Sequence, residues 1–200
     1  DNTYTLRLHL RNKGIFYGYS VGWDKDKIVF SFKNPTTVAS GSQPLAGKKI
    51  VLAPGHGGNS YGAESGKVLE KELTLKYSLL LRDKLVAMGA TVIMTRTNDT
   101  NPDNLLNPAS LYARSNFARN NYTDLFISIH MNSATSSSAR GYTIHYFNEY
   151  SYVLAKQVDV YAKRAYSNSG GQSDRSQTVH WDPFNVIRLH DCPAILLECG

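Results

Sequence analysis

No apolar run in this chain approaches the roughly 18–20 residues that a membrane-spanning helix requires. Nor does a basic start lead into an apolar stretch of the signal-peptide kind, so the chain reads as soluble, with no membrane span. Cysteine is scarce, limited to Cys192 and Cys199 on either side of "PAILLE". If that stretch is a strand, about 3.3 Å per residue carries the two thiols far beyond disulfide reach, so both are expected free. Neither belongs to a CxxC pair, which excludes a cysteine metal cluster or dithiol redox site. Blocks of like charge are also missing. The net charge of +6 favours an anionic partner, whether nucleic acid, an acidic lipid surface or an acidic polymer. The cations are scattered, with doublets such as Lys48 and Lys49 but no basic patch, so no nucleic-acid partner is expected. What is present, 42% hydrophobic and 19% charged residues over 200 positions, is enough for one buried core; a monomer is expected.

The chain divides by its grammar. In residues 1–36, "YTLRLHL" places Leu6, Leu8 and Leu10 on one side and "KIVFSF" does the same with Ile28, Phe30 and Phe32. With "NKG" and "WDKDK" as turns, this predicts a small antiparallel β appendage, the remnant of an upstream domain. Residues 37–47 have linker composition. From 48 to 200, apolar runs and helical patterns alternate. Strands are predicted at "KIVLA" (49–53), "TVIMT" (91–95), "DLFISIH" (124–130), "GYTIHYF" (141–147) and "AILLEC" near the end. Between them lie a helix through Leu69, Leu73, Tyr77, Leu81 and Leu85 stopped by Gly89, a second capped by Asn107 with Pro108 in its first turn, and a third through Val153, Val158 and Tyr161 ended by "SNSGG". Strands apolar on both faces and separated by helices define an α/β fold: a mostly parallel twisted sheet flanked by helices on both faces.

In such sheets the carboxyl ends of the strands carry the functional groups. His56 lies just past the first strand in "APGHGGNS", His130 ends "LFISIH", and Glu198 closes "PAILLE". A further carboxylate comes from the helix after the first strand, where spacing alone admits Glu64, Glu70 or Glu72. Two imidazoles, a carboxylate and a second carboxylate are what a catalytic zinc needs: three protein ligands, one open position and a base. Gly55, Gly57 and Gly58 would let the backbone turn sharply and clear room around His56. Each residue also has a structural alternative: a solvated turn for His56, a half-buried imidazole for His130, a helix-dipole partner for Glu70, and an ion pair with Arg96 or Arg188 for Glu198. His145 is expected on a sheet surface, His180 and His190 in a loop-rich stretch beside a groove, and His9 in the appendage; none is a first-choice ligand.

The stretches "KKIVLAPGHGGNSYGAESGKVLEKELTL", "VIMTR", "LYARSNFARNNYTDLFISIHMNS" and "FNVIRLHDCPAILLECG" resemble, in order and spacing, the zinc-dependent N-acetylmuramoyl-L-alanine amidases of the amidase-3 family. The resemblance covers about residues 48–200. It implies one Zn2+ held by His56, Glu70 and His130, with Glu198 as the catalytic general base and acid. It also implies peptidoglycan as substrate, cut between N-acetylmuramic acid and the L-alanine of the stem peptide, and an extracellular place at a bacterial cell wall. Arg96, Arg114 and Asn132 fall on recurrent family positions and are expected to support the site. One departure stands out: Ala53 occupies a position where the family commonly has Asp, so a carboxylate that would orient the first histidine is replaced. A zinc carboxypeptidase on similar architecture and a catalytically silent wall-binding module are the competing readings.

Overall fold

A computed structural model describes residues 2–9, 16–34, 37–101, 109–134, 141–168 and 178–200. Strands β1 (Tyr19–Asp24) and β2 (Lys27–Phe32) form an antiparallel hairpin, with Lys25 in the left-handed region at φ 54° in its two-residue turn. The expected N-terminal antiparallel β segment is present, but one of its two strands is not the one expected. Residues 2–9, including most of "YTLRLHL", are exposed and form no strand. The partner of "KIVFSF" is the adjacent "YSVGWD", because a short turn fixes pairing between neighbouring runs and alternation alone supplies no partner. The "NKG" turn lies outside the described residues.

The main sheet and its surroundings follow as β3 (Lys49–Pro54), β4 (Glu64–Ser65), β5 (Val68–Leu69), α1 (Glu70–Ala87), β6 (Thr91–Met94), α2 (Ala109–Asn120), β7 (Leu125–Met131), β8 (Thr143–Tyr146), α3 (Glu149–Asn168), β9 (Val179–Trp181), α4 (Asn185–Arg188) and β10 (Ala194–Cys199). Six strands hydrogen-bond in the order β6-β3-β7-β10-β8-β9. The first four are parallel; β8 runs antiparallel to β10 and carries β9 parallel to itself. The mostly parallel α/β sheet is thus as expected. The sixth strand, β9, falls in the stretch expected to be loop-rich, because three residues are too few to show a period. The Asn107–Pro108 cap and the glycines of "SNSGG" fall outside the described residues.

The strands are apolar on both faces because both faces are covered. Ile50, Leu52, Ile127, Ile129 and Ile195 pack with Leu75 and Leu79 of α1 and with Leu154 and Val158 of α3. The alternate residues Val51, Ala53, Phe126, Ala194 and Leu196 pack with Leu111 and Phe117 of α2 and Val186 and Ile187 of α4. Period-two alternation then decides which way the strand ends point. His130 follows Phe126 in parity, and Glu198 follows Ala194 and Leu196. By register Glu198 pairs with His130 on one side and Thr143 on the other, while His145 pairs with Leu196 and His180. All of these side chains therefore share one face at the carboxyl end of the central strands. Cys192 is buried, Cys199 is partly buried, and both are free thiols, as expected from their separation.

Candidate metal centre

The loop after β3 is bent to present one imidazole. His56 itself sits at φ 60°, a conformation that costs a non-glycine residue on the order of 1 kcal/mol. Gly57 and Gly58 continue with positive φ, and Gly57 and Ser60 exchange backbone hydrogen bonds of 2.9 and 3.0 Å. That closure carries Ser60 Oγ to 3.0 Å from His56 Nδ1, leaving Nε2 to face the cleft and Glu70. Ala53 is fully buried among apolar neighbours, so the orienting partner expected from an Asp at that position is here a serine hydroxyl from the loop itself.

Glu70 opens α1 and turns both oxygens to work. Oε2 lies 3.1 Å from His56 Nε2 and accepts the Ala63 N–H at 2.8 Å; Oε1 lies 3.0 Å from His130 Nδ1 and accepts the Met131 N–H at 3.0 Å. Burial raises the pKa of Glu70, but the hydrogen bonds with His130, His56, Ala63 and Met131 outweigh it and hold the group well below the ordinary carboxylate range. Glu64 and Glu72 are exposed. Burial lowers the pKa of His130 despite its contact with Glu70, favouring the neutral imidazole. The rings of His56 and His130 stand 5.0 Å apart at 79°.

One nitrogen from each imidazole and one carboxylate oxygen lie within 4.8 Å of one another. A tetrahedral ion with ligands at about 2.0–2.1 Å sets its donors roughly 3.3 Å apart; here His56 Nε2 lies 3.1 Å from Glu70 Oε2 and His130 Nδ1 lies 3.0 Å from the other oxygen, Oε1, so the carboxylate bridges the two imidazoles. Two imidazoles and an ionised carboxylate are also donors of the type that borderline divalent cations take. These residues fit a metal ion. Glu198, placed beside His130 by register, lines the same cleft. Burial first, and the neighbouring Glu70 second, push its pKa up to about 7.

The glycines are explained by contacts more than by openness. A Cβ at Gly55 would fall 2.5–2.7 Å from three ring atoms of His130, and one at Gly62 would collide with Glu70 and His56. Gly55→Ala is therefore expected to push His130 aside and weaken cation binding at least about tenfold, as loss of a ligand-orienting contact does; calorimetric titration with Zn2+ measures it.

Arg96 and Arg114 acquire definite work. Both are buried. Arg96 donates to the carbonyls of Pro54, Gly55, Lys71 and Asn98, and Arg114 to those of Pro54 and His56 at 2.5 and 2.7 Å. The two guanidiniums clamp the backbone that carries the first imidazole to the start of α1. Burial lowers both pKa values to about 10, leaving the groups charged at neutral pH. Arg96 is thus occupied by carbonyls and does not serve as an ion-pair partner for Glu198. Arg114→Met takes that donor from the His56 carbonyl and leaves the Pro54 carbonyl with Arg96 alone, an expected loss of about 2 kcal/mol in urea unfolding. The partly buried Arg82, whose ion-pair partner Asp83 is exposed, changed the same way, is expected to cost well under about 1 kcal/mol.

His145 and His180 also line this cleft, as expected for His180, together with Thr143, Asp182 and Phe184. The sheet surface expected for His145 is the cleft floor, and His180 lies on β9 and not in a loop. His190, in contrast, is buried against Phe126 and bonds the Val186 carbonyl. The pairing of His145 with Asp182, 37 residues away, has no signal in the sequence.

Fold and donor set together define an α/β protein with a cluster of two histidines and a glutamate, of the kind that could hold a metal ion, at the carboxyl edge of its sheet. The sequence profile of the N-acetylmuramoyl-L-alanine amidase family matches residues 50–200, and the chain belongs to that family. It is 36% identical over 188 residues to the probable cell wall amidase LytH of Staphylococcus epidermidis, covering 92% of this chain and 56% of that protein. The chain thus spans about half the length of the curated relatives it matches. Among solved structures it is similar to the catalytic domain of CwlV, an N-acetylmuramoyl-L-alanine amidase from Bacillus (Paenibacillus) polymyxa var. colistinus, with 31% identity and a TM-score of 0.63 over 76% of this chain and 79% of that one. The CwlD amidase of Clostridioides difficile, solved in complex with the GerS lipoprotein, gives 27% identity and a TM-score of 0.67 over 76% and 82%. The resemblance read from the motifs is borne out at the level of family and fold.

Proposed function

We propose that this chain carries the catalytic site of a zinc-dependent amidase that hydrolyses the bond between the lactyl group of N-acetylmuramic acid and the L-alanine of the peptidoglycan stem peptide. The observation that carries the reading is the convergence of His56, Glu70 and His130 within ion-binding distance, with Glu198 beside His130 on the neighbouring strand. Zinc, when bound, supplies a Lewis acid that polarises the scissile carbonyl and acidifies a water. His56 and His130 would offer ring nitrogens and Glu70 an ionised oxygen to hold it. Glu198 accepts the proton of the attacking water and delivers it to the departing alanine nitrogen. The C–N bond breaks as a C–O bond forms, leaving a muramoyl carboxylate and a free stem-peptide amine.

A pKa raised by burial suits a group that must first accept and then donate a proton. The net charge of +6 favours residence on an anionic wall, and we place the protein at the extracellular face of a bacterial envelope. A carboxypeptidase would need a cation to clamp a terminal carboxylate, and none of the described residues lining the cleft is Lys or Arg. A silent binding module would have no use for the histidine-orienting bond that Ser60 supplies. Incubation of the zinc-loaded chain with purified peptidoglycan tests the proposal. Intact stem peptides with new L-alanine amino termini are expected; release of single terminal amino acids, or of nothing, overturns it.

A further inference from the structure

We propose that the wall formed by His180, Asp182 and Phe184, braced by His145, is a saccharide subsite that seats the pyranose ring on the acyl side of the scissile amide. The inference rests on the amidase reading above and adds which arm of the substrate lies where.

The wall begins next to the chemistry. Thr143 faces Glu198 across one strand pair, and His145 and His180 follow on β8 and β9 on the same face. At about 4.8 Å per strand, His180 stands roughly 10 Å across the sheet from Glu198. In a muramoyl peptide only a few bonds separate the lactyl carbonyl from the sugar ring, so a ring seated on this wall leaves the carbonyl near Glu198 and His130.

The wall is built in a way that a packing surface does not need. Asp182 accepts the His145 Nδ1–H at 2.6 Å, and His145 Nε2 lies 2.9 Å from Thr143 Oγ1, so both ring nitrogens are engaged and the carboxylate is pinned. The second oxygen of Asp182 has no hydrogen-bond partner among the described residues, and its side chain keeps 32% exposure. An ionised carboxylate only accepts, so the free oxygen suits hydroxyl donors. His180 stacks on His145 at 5.5 Å and 26°, and its own nitrogens have no partner among the described residues, leaving both for the cleft. Phe184 stands edge-on to His145 at 5.2 Å and is 43% exposed, an apolar face for the C–H side of a pyranose.

Charge selects between the two arms of the substrate. The stem peptide carries carboxylates, whereas the cleft lining contributes Asp182 and Glu198 besides the candidate metal ligand Glu70 and, among the described residues, no Lys or Arg. A wall of pinned carboxylate, imidazole and exposed ring suits a neutral polyol better than an anion.

Two substrates that share the scissile amide test this: an N-acetylmuramoyl tripeptide, and the matching lactoyl tripeptide without the sugar. The zinc-loaded wild-type chain is expected to favour the muramoyl substrate by at least about tenfold in kcat/KM. Phe184→Ala and Asp182→Asn are expected to lower kcat/KM on it, chiefly through KM, by about tenfold more than on the lactoyl substrate. Equal losses on both substrates, or no wild-type preference, overturn the subsite, as does a Phe184→Ala effect that follows peptide length. Cleavage of neither substrate condemns the amidase reading separately. The subsite is then judged by calorimetry, in which zinc-loaded Glu198→Gln protein is expected to bind the muramoyl peptide about tenfold more tightly than the double variant with Phe184→Ala; equal affinity overturns it.

Discussion

Glu198→Gln is expected to lower the rate of muramoyl–alanine cleavage about 10³-fold, within the span that a positioned acid–base group supplies, while leaving zinc uptake intact. It is also expected to make the ion-free protein more stable at pH 8 by about 3 kcal/mol. Both effects have one cause. The carboxyl is partly buried beside Glu70, and its pKa is pushed from 4.5 to about 7. The unfolded chain loses this proton near its ordinary value while the folded chain keeps it, so between those two pH values the folded state binds more protons. Stability from this group is therefore full below pH 4.5 and is lost as pH rises through about 7. Glutamine carries no charge to desolvate and escapes that loss. Urea unfolding of both proteins in chelator at pH 5 and pH 8 is the check: the gap is expected at pH 8 and largely closed at pH 5. In the zinc-loaded enzyme a nearby dication favours the carboxylate, so the acid limb of the wild-type rate profile is expected below pH 7, and the residual activity of the glutamine variant is expected to lack it.

What the sequence made legible follows from what burial does to composition. Strands β3, β7 and β10 are covered on both faces, so they appear as apolar runs, and the polar residues that end them, His130 and Glu198, stand out against that background. His56 was legible because glycines surround it, although their reason was only half visible: Gly55 makes room for the ring of His130, from a strand 75 residues later. Glu70 could not be separated from Glu64 and Glu72 by spacing. What singles it out is two backbone N–H groups, from Ala63 and Met131, converging on its oxygens, a fact of tertiary structure. The same holds for His145 and Asp182, which meet only because β9 pairs with β8. At the N-terminus, alternation in "YTLRLHL" matched a strand pattern without a neighbour to pair with, and pairing decides whether a strand exists.

His130→Ala is expected to abolish zinc-dependent cleavage and most of the stabilisation that zinc confers. An ion bound only by the native state stabilises it by about 4 kcal/mol at a thousandfold excess over Kd. A ligand set cut from three to two is expected to leave less than about 1 kcal/mol of that at the same zinc concentration, read as the shift in urea midpoint with and without zinc. The neighbouring glycine turns this into a sharper test. The harm expected from Gly55→Ala comes from the collision of its new Cβ with the imidazole of His130, so removing the imidazole removes the collision. The two changes should then be strongly non-additive, as contacting residues are in a double-mutant cycle: the pair should bind zinc no worse than His130→Ala alone. Additive losses would mean that Gly55 serves His56 and the loop, and that the close approach of Gly55 to His130 is not what fixes the second imidazole.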